Sequence, residues 1–173
     1  MTTIETKRLI EINEGYQGIN LTEFAIGVDK QISNDQIVDT FIRSKKFSFD
    51  SLPDFAKAEP HKGYLRQPFD VDKIKITDFK KTDKQGVLKF LIDFLHEPDW
   101  SDDRNEFAKL LDRYFEIHNE FEDNEFYILS KDWFNKKDER IIEPESWGYT
   151  YYFLFISVDR KSNLLTLTEW TYD

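Results

Sequence analysis

The chain contains no cysteine. That excludes a disulfide framework, a zinc–thiolate site and a thiol nucleophile, and it fits a reducing compartment. Glycine is scarce, with six in 173 residues. Neither G-x-x-x-x-G-K-[ST] nor G-x-S-x-G occurs, so a phosphate-cradling loop and a nucleophile elbow both lack their backbone. Long apolar runs are missing too. The longest, YYFLFI at 151–156, falls far short of the roughly 20 residues that span a bilayer. The opening MTTIETKRLIEINEG has no basic stretch followed by an apolar one, so no secretory leader is expected and the cytoplasm is the expected compartment.

Positive charge is also in deficit. Lys and Arg number 24 against 34 Asp and Glu, a formal charge of −10. Nucleic acid and anionic membranes would repel such a chain, and neither is expected as a partner. Aromatic residues make up 16 % of the chain, too many for a disordered segment. The length suits one domain, 1–173, able to bury a core without staples.

The pattern of elements is that of an α+β fold. KRLIEI and GINLTEFAIGVD read as two strands about a turn at 14–18, and SNDQIVDTFIRSKKF reads as a helix. Ser33 and Gln36 fit a capping box there, and Ile37, Val38, Phe41 and Ile42 recur at helical spacing. The stretch 50–70 carries three prolines and reads as loop. VDKIKITDF alternates imperfectly and is expected as a half-buried strand. Two helices follow, DKQGVLKFLIDFLHE and SDDRNEFAKLLDRYFEIHNEF, the second capped by Ser101 or Asp103. EFYILS is a further strand. The chain closes on a hairpin of 149–158 and 164–172 about DRKSN. Without regular βαβ alternation, a mainly antiparallel sheet with a C-terminal β-hairpin, packed against about three helices, is expected.

The hairpin poses a question, because TYYFLFISV is apolar on both sides. A loop of two or four residues, Lys161–Ser162 or Asp159–Ser162, sorts the side chains by type. Leu154 and Ile156 then join Leu165 and Leu167. Tyr149, Tyr151, Phe153 and Phe155 join Thr166, Thr168, Trp170 and Tyr172. Register follows such sorting. The aliphatic side is expected to pack on the helices. The aromatic side is too large to leave in water. Either the N-terminal strands and the 50–70 loop cover it, or a ligand, a second copy or another partner does.

The main charge feature runs from His96 to Glu125, where eleven carboxylates face three bases for a segment charge of −8. With Phe107 at the centre of the apolar stripe, Asp112, Glu116 and Glu120 fall on the far side of the helix. They form like-charged i,i+4 pairs, each costing about 0.2–0.5 kcal/mol. Such a run is either a solvated helix face or an acidic docking surface.

His118 lies on the apolar stripe of the same helix. Its i,i+4 pairing with Glu122 can support a metal, but no third ligand stands nearby, and a packed histidine is the simpler reading. His96 and His61 lack partners for chemistry in the sequence. No cofactor and no metal is expected, and an enzyme is not the favoured reading. The favoured function is a non-catalytic acidic binding protein, an inhibitor of immunity type that neutralises a basic protein such as a nuclease toxin. Its surface would comprise Trp100, Asp112, Glu116, Glu120, Glu122, Asp123 and Glu125. The alternatives are a ligand-binding protein or enzyme using the aromatic hairpin face (Tyr149, Tyr151, Phe153, Phe155, Trp170 and Tyr172) with His118 or His61 as acid/base, or a homo-oligomer buried on that face.

Overall fold

A computed structural model describes residues 3–27, 31–48, 65–66, 68–97, 103–122, 125–130, 138–141 and 150–172. Its elements are β1 (Thr3–Glu14), β2 (Gln17–Gly27), α1 (Asn34–Ile42), β3 (Leu65–Arg66), β4 (Phe69–Asp70), β5 (Lys80–Thr82), α2 (Lys84–Leu95), α3 (Arg104–Glu120), β6 (Phe126–Leu129), β7 (Tyr151–Asp159) and β8 (Leu164–Tyr172). Among the described residues, six strands form one sheet in the order β1-β2-β8-β7-β6-β5. Every neighbouring pair in it is antiparallel. The fold is α+β, with three α-helices against an antiparallel sheet among the described residues.

The C-terminal hairpin supplies the two middle strands, which explains its apolarity on both sides. Asp159 pairs with Leu164, Phe153 with Trp170 and Tyr151 with Tyr172. Odd positions therefore face even ones, as the sorting of side chains requires. The four-residue connection is 160–163, one step along from the longer of the two expected loops. Asn163 takes a left-handed φ of 53° there, a conformation Asn tolerates better than most residues.

Both faces of the sheet are closed by helices. On the aliphatic side, Leu154, Ile156, Leu165 and Leu167 share a core with Ile37, Val38, Phe41 and Ile42 of α1. On the aromatic side, Tyr151, Phe153, Phe155 and Trp170 share a core with Val87 and Leu91 of α2 and with Phe107, Leu110 and Tyr114 of α3. The N-terminal strands do not cover that side. Because β2 hydrogen-bonds to β8, β1 and β2 lie in the plane of the sheet and widen it.

Local chemistry set several of these elements. Ser33 accepts from the Gln36 amide at 3.2 Å, and the Gln36 side chain accepts from the Ser33 amide at 2.8 Å, completing the capping box of α1. Asp83 caps α2 by accepting from the Gly86 amide at 2.8 Å. Asp103 sits at the start of α3 with helical backbone angles and makes no capping bond; Ser101, the other expected cap, lies outside the described residues. The expected strand at 71–79 is instead two 3-10 turns, Val71–Lys73 and Ile76–Asp78. There the Asp70 carboxylate accepts from the Asp72 amide and the Asp78 carboxylate from the Lys75 amide. Such local bonds compete directly with a strand ladder.

Candidate binding surface

The buried stripe of α3, Phe107, Leu110, Leu111, Tyr114 and His118, turns Asp112, Glu116 and Glu120 to solvent. Successive carboxylates are about 6 Å apart along the axis. None of the three forms an ion pair or hydrogen bond among the described residues. The three bases of the helix are directed elsewhere. Lys109 and Arg113 reach Glu14 on the β1–β2 hairpin, at 3.9 and 3.2 Å, and Arg104 donates to the Glu97 carbonyl at 2.9 Å. The result is a ridge of three exposed carboxylates, none of them ion-paired among the described residues.

The rest of the expected acidic surface divides. Glu122 is exposed and paired with Lys161 at 2.8 Å. Glu125 belongs to a cluster built from three distant elements. Its carboxylate accepts from Lys81 of β5 at 2.9 Å and from the Tyr127 hydroxyl at 2.6 Å. Asp35, in the first turn of α1, stands 2.5 Å from the same hydroxyl, whose one proton the two carboxylates share, and accepts from Lys81 at 3.1 Å. These contacts set the proton affinities. The Tyr127 and Lys81 bonds hold Asp35 below the usual carboxylate range. Burial pushes Glu125 up, but the bonds from Tyr127, Lys81 and Asn34 outweigh it and bring the carboxyl down. Glu125 and then Asp35 raise the Lys81 ammonium. Burial, followed by the two carboxylates, raises the Tyr127 phenol. Trp100 and Asp123, the remaining members of the expected surface, lie outside the described residues.

The aromatic hairpin face is not a surface in this fold. Tyr151, Phe153, Phe155 and Trp170 are all at most 2 % exposed. Phe90 and Phe94 of α2 each stand 5.1 Å from the Phe153 ring, and Phe107 of α3 stands 5.0 Å from Trp170. Rings from the helices occupy the space in which a ligand or a second copy would have to sit. Tyr172 is half-buried at the margin and donates to Asp103, which pushes its phenol up to about 12. The same corner holds Gln17, which accepts from Tyr151 at 2.9 Å and donates to the Asp103 carbonyl at 2.9 Å. This chain of bonds, with no signal in the sequence, ties the start of α3 to the sheet. Tyr149 and His61 lie outside the described residues.

His118 is fully buried among Tyr114, Phe121 and Phe126. Glu122, its i,i+4 neighbour, turns away to Lys161, so the two do not converge. His96 closes α2, with Nδ1 2.6 Å from the Ile92 carbonyl.

Among the described residues, no helix is long and apolar enough to cross a membrane. No family model, no curated protein and no solved structure matches the chain.

Proposed function

We propose that this chain is a non-catalytic binding protein that docks a basic protein on the carboxylate ridge of α3, and that it acts as an inhibitor of immunity type. The observation that carries the reading is that Asp112, Glu116 and Glu120 have no ion pair among the described residues, beside bases that are spent on other partners. Two like-charged i,i+4 pairs work against the helix that bears them. Lys109 and Arg113 share this face of α3, three residues before Asp112 and Glu116, but their head groups reach Glu14 instead, so the three exposed carboxylates face solvent without an ion pair among the described residues. The field of such a ridge speeds and orients encounter with a cationic surface. A net charge of −10 adds to it at longer range. Nuclease toxins, whose substrate grooves are basic, are the class of target that the charge fits.

The test compares the wild-type chain with the triple reversal D112K/E116K/E120K as bait in extracts of the native cell. A basic protein retained by the wild type, released by moderate salt and absent from the variant is the expected result. Equal retention by a folded variant overturns the reading.

A further inference from the structure

We propose that the contact between the first turn of α2 and the last turn of α3 is an acid-operated clasp, which protonation of His118 opens to free the C-terminal turn of α3. The clasp is reciprocal. His118 Nε2 lies 3.1 Å from the Lys84 carbonyl, and since a carbonyl only accepts, the ring proton sits on Nε2. In return, Lys84 Nζ donates to the carbonyls of Asn119 at 3.1 Å and Phe121 at 2.8 Å. These are carbonyls for which the end of a helix provides no partner of its own.

With the proton on Nε2, Nδ1 is a bare lone pair, and it is buried without a hydrogen-bond partner. The rings of Tyr114, Phe121 and Phe126 stand 5.3 to 5.7 Å from the imidazole, centre to centre. A proton added at Nδ1 makes a cation with neither water nor acceptor beside it. Aromatic faces attract a cation, but the lost hydration outweighs that attraction. The titratable groups facing the ring are Lys84 from α2, a like charge, and Tyr114 from α3. From β6 comes Phe126, whose neighbours Glu125 and Tyr127 are engaged with Lys81 and Asp35. Glu122 is held by Lys161. No carboxylate among the described residues is placed to receive the new charge.

Burial holds the imidazole below the ordinary histidine range; the bond to the Lys84 carbonyl works against this, and the Lys84 charge adds to it. The sign follows. The unfolded or opened chain binds the proton more readily, so the clasp is complete above about pH 6.5 and weakens as pH falls below it. Glu116 and Glu120 belong to the last two turns of α3, so opening the clasp also disorganises the ridge. That consequence rests on the function proposed above; the clasp itself does not.

Hydrogen exchange on the isolated chain tests the clasp without any partner. Protection of the amides of 117–121, corrected for intrinsic exchange, is followed from pH 7.5 to 5 in the wild type and in His118→Phe, which keeps an aromatic ring but has no proton site. The wild type is expected to lose up to about tenfold protection for each pH unit below about 6.5, while the variant stays level. A level wild-type profile, or an equal fall in the variant, overturns the proposal. Should the variant not fold, the ring ¹⁵N signals of wild-type His118 decide. A neutral Nε2–H form that persists below the ordinary range and titrates together with the loss of protection supports the clasp. Titration at the ordinary value with protection intact overturns it.

Discussion

Lys81 is the residue on which α1, β5 and β6 converge. Tyr127 has one proton to give and stands 2.5 and 2.6 Å from two carboxylates, so the ammonium of Lys81 supplies the balancing charge. The pH dependence can be worked from the shifts. Asp35 and Glu125 are held low, so their contribution is present above the unfolded carboxylate range near pH 4 and is lost as pH falls through their folded values. Lys81 and Tyr127 are held high, so theirs is present below about pH 10 and is lost as pH rises past the folded values. Asp35 and Lys81 are about half exposed, at 55 % and 49 %, and solvent screening limits what their pairing contributes. Lys81→Ala is expected to lower stability by at most about 1 kcal/mol at pH 7. In urea unfolding, that difference should shrink as pH falls below about 4 and on through the depressed folded values of the two carboxylates. A difference that does not shrink on acidification would mean that Lys81 acts through packing. Nothing in the sequence discloses this cluster, because Asp35 and Tyr127 are 92 residues apart and only the sheet order brings them together.

At the scale of elements, the helices were legible chiefly because of their apolar periodicity, since Asp103 makes no capping bond at α3. The start of α1 does follow from Ser33 and Gln36, whereas its end at Ile42 falls short of the expected stretch SNDQIVDTFIRSKKF. The stretch 71–79 was not legible as turns. Its alternation suggests a strand, while the bonds from Asp70 and Asp78 to nearby amides are geometric facts that spacing does not reveal. The face of α3 that carries Asp112, Glu116 and Glu120 was legible to the residue, since a helical wheel needs only the apolar stripe for orientation. What the sequence left open was which carboxylates find a cation. Glu122 and Glu125 do, through Lys161 and Lys81. The ridge leads to an opposed pair of effects. Neutralising it as D112N/E116Q/E120Q relieves two like-charged pairs and is expected to stabilise the chain by about 0.4–1 kcal/mol, measured by urea unfolding at low ionic strength. The same variant is expected to bind its partner more weakly. Unchanged or lower stability would show that the three carboxylates have stabilising roles in the fold.

At the scale of the whole molecule, one topological fact decides what is surface and what is core. The chain leaves β5 at one edge of the sheet, runs through α2 and α3 across its aromatic face as far as β1 and β2, and returns to β6 beside β5. This excursion closes the face that composition alone left ambiguous, and it presents the outer side of α3 to solvent. The sheet edges are managed as well. β5 is three residues long and carries Lys80 and Lys81. β1 carries Glu5, Lys7, Arg8 and Glu11, with a register break between Thr6 and Arg8, which disfavours edge pairing. The functional claim therefore rests on the α3 ridge. Its most direct test is the association rate constant of the retained basic protein with the wild type and with D112K/E116K/E120K, measured by stopped flow between low and 0.5 M salt. The account predicts a wild-type rate that falls steeply with salt and a variant rate that is at least about tenfold slower at low salt, the two converging at high salt as the charges are screened. Equal rates with equal salt dependence would contradict it.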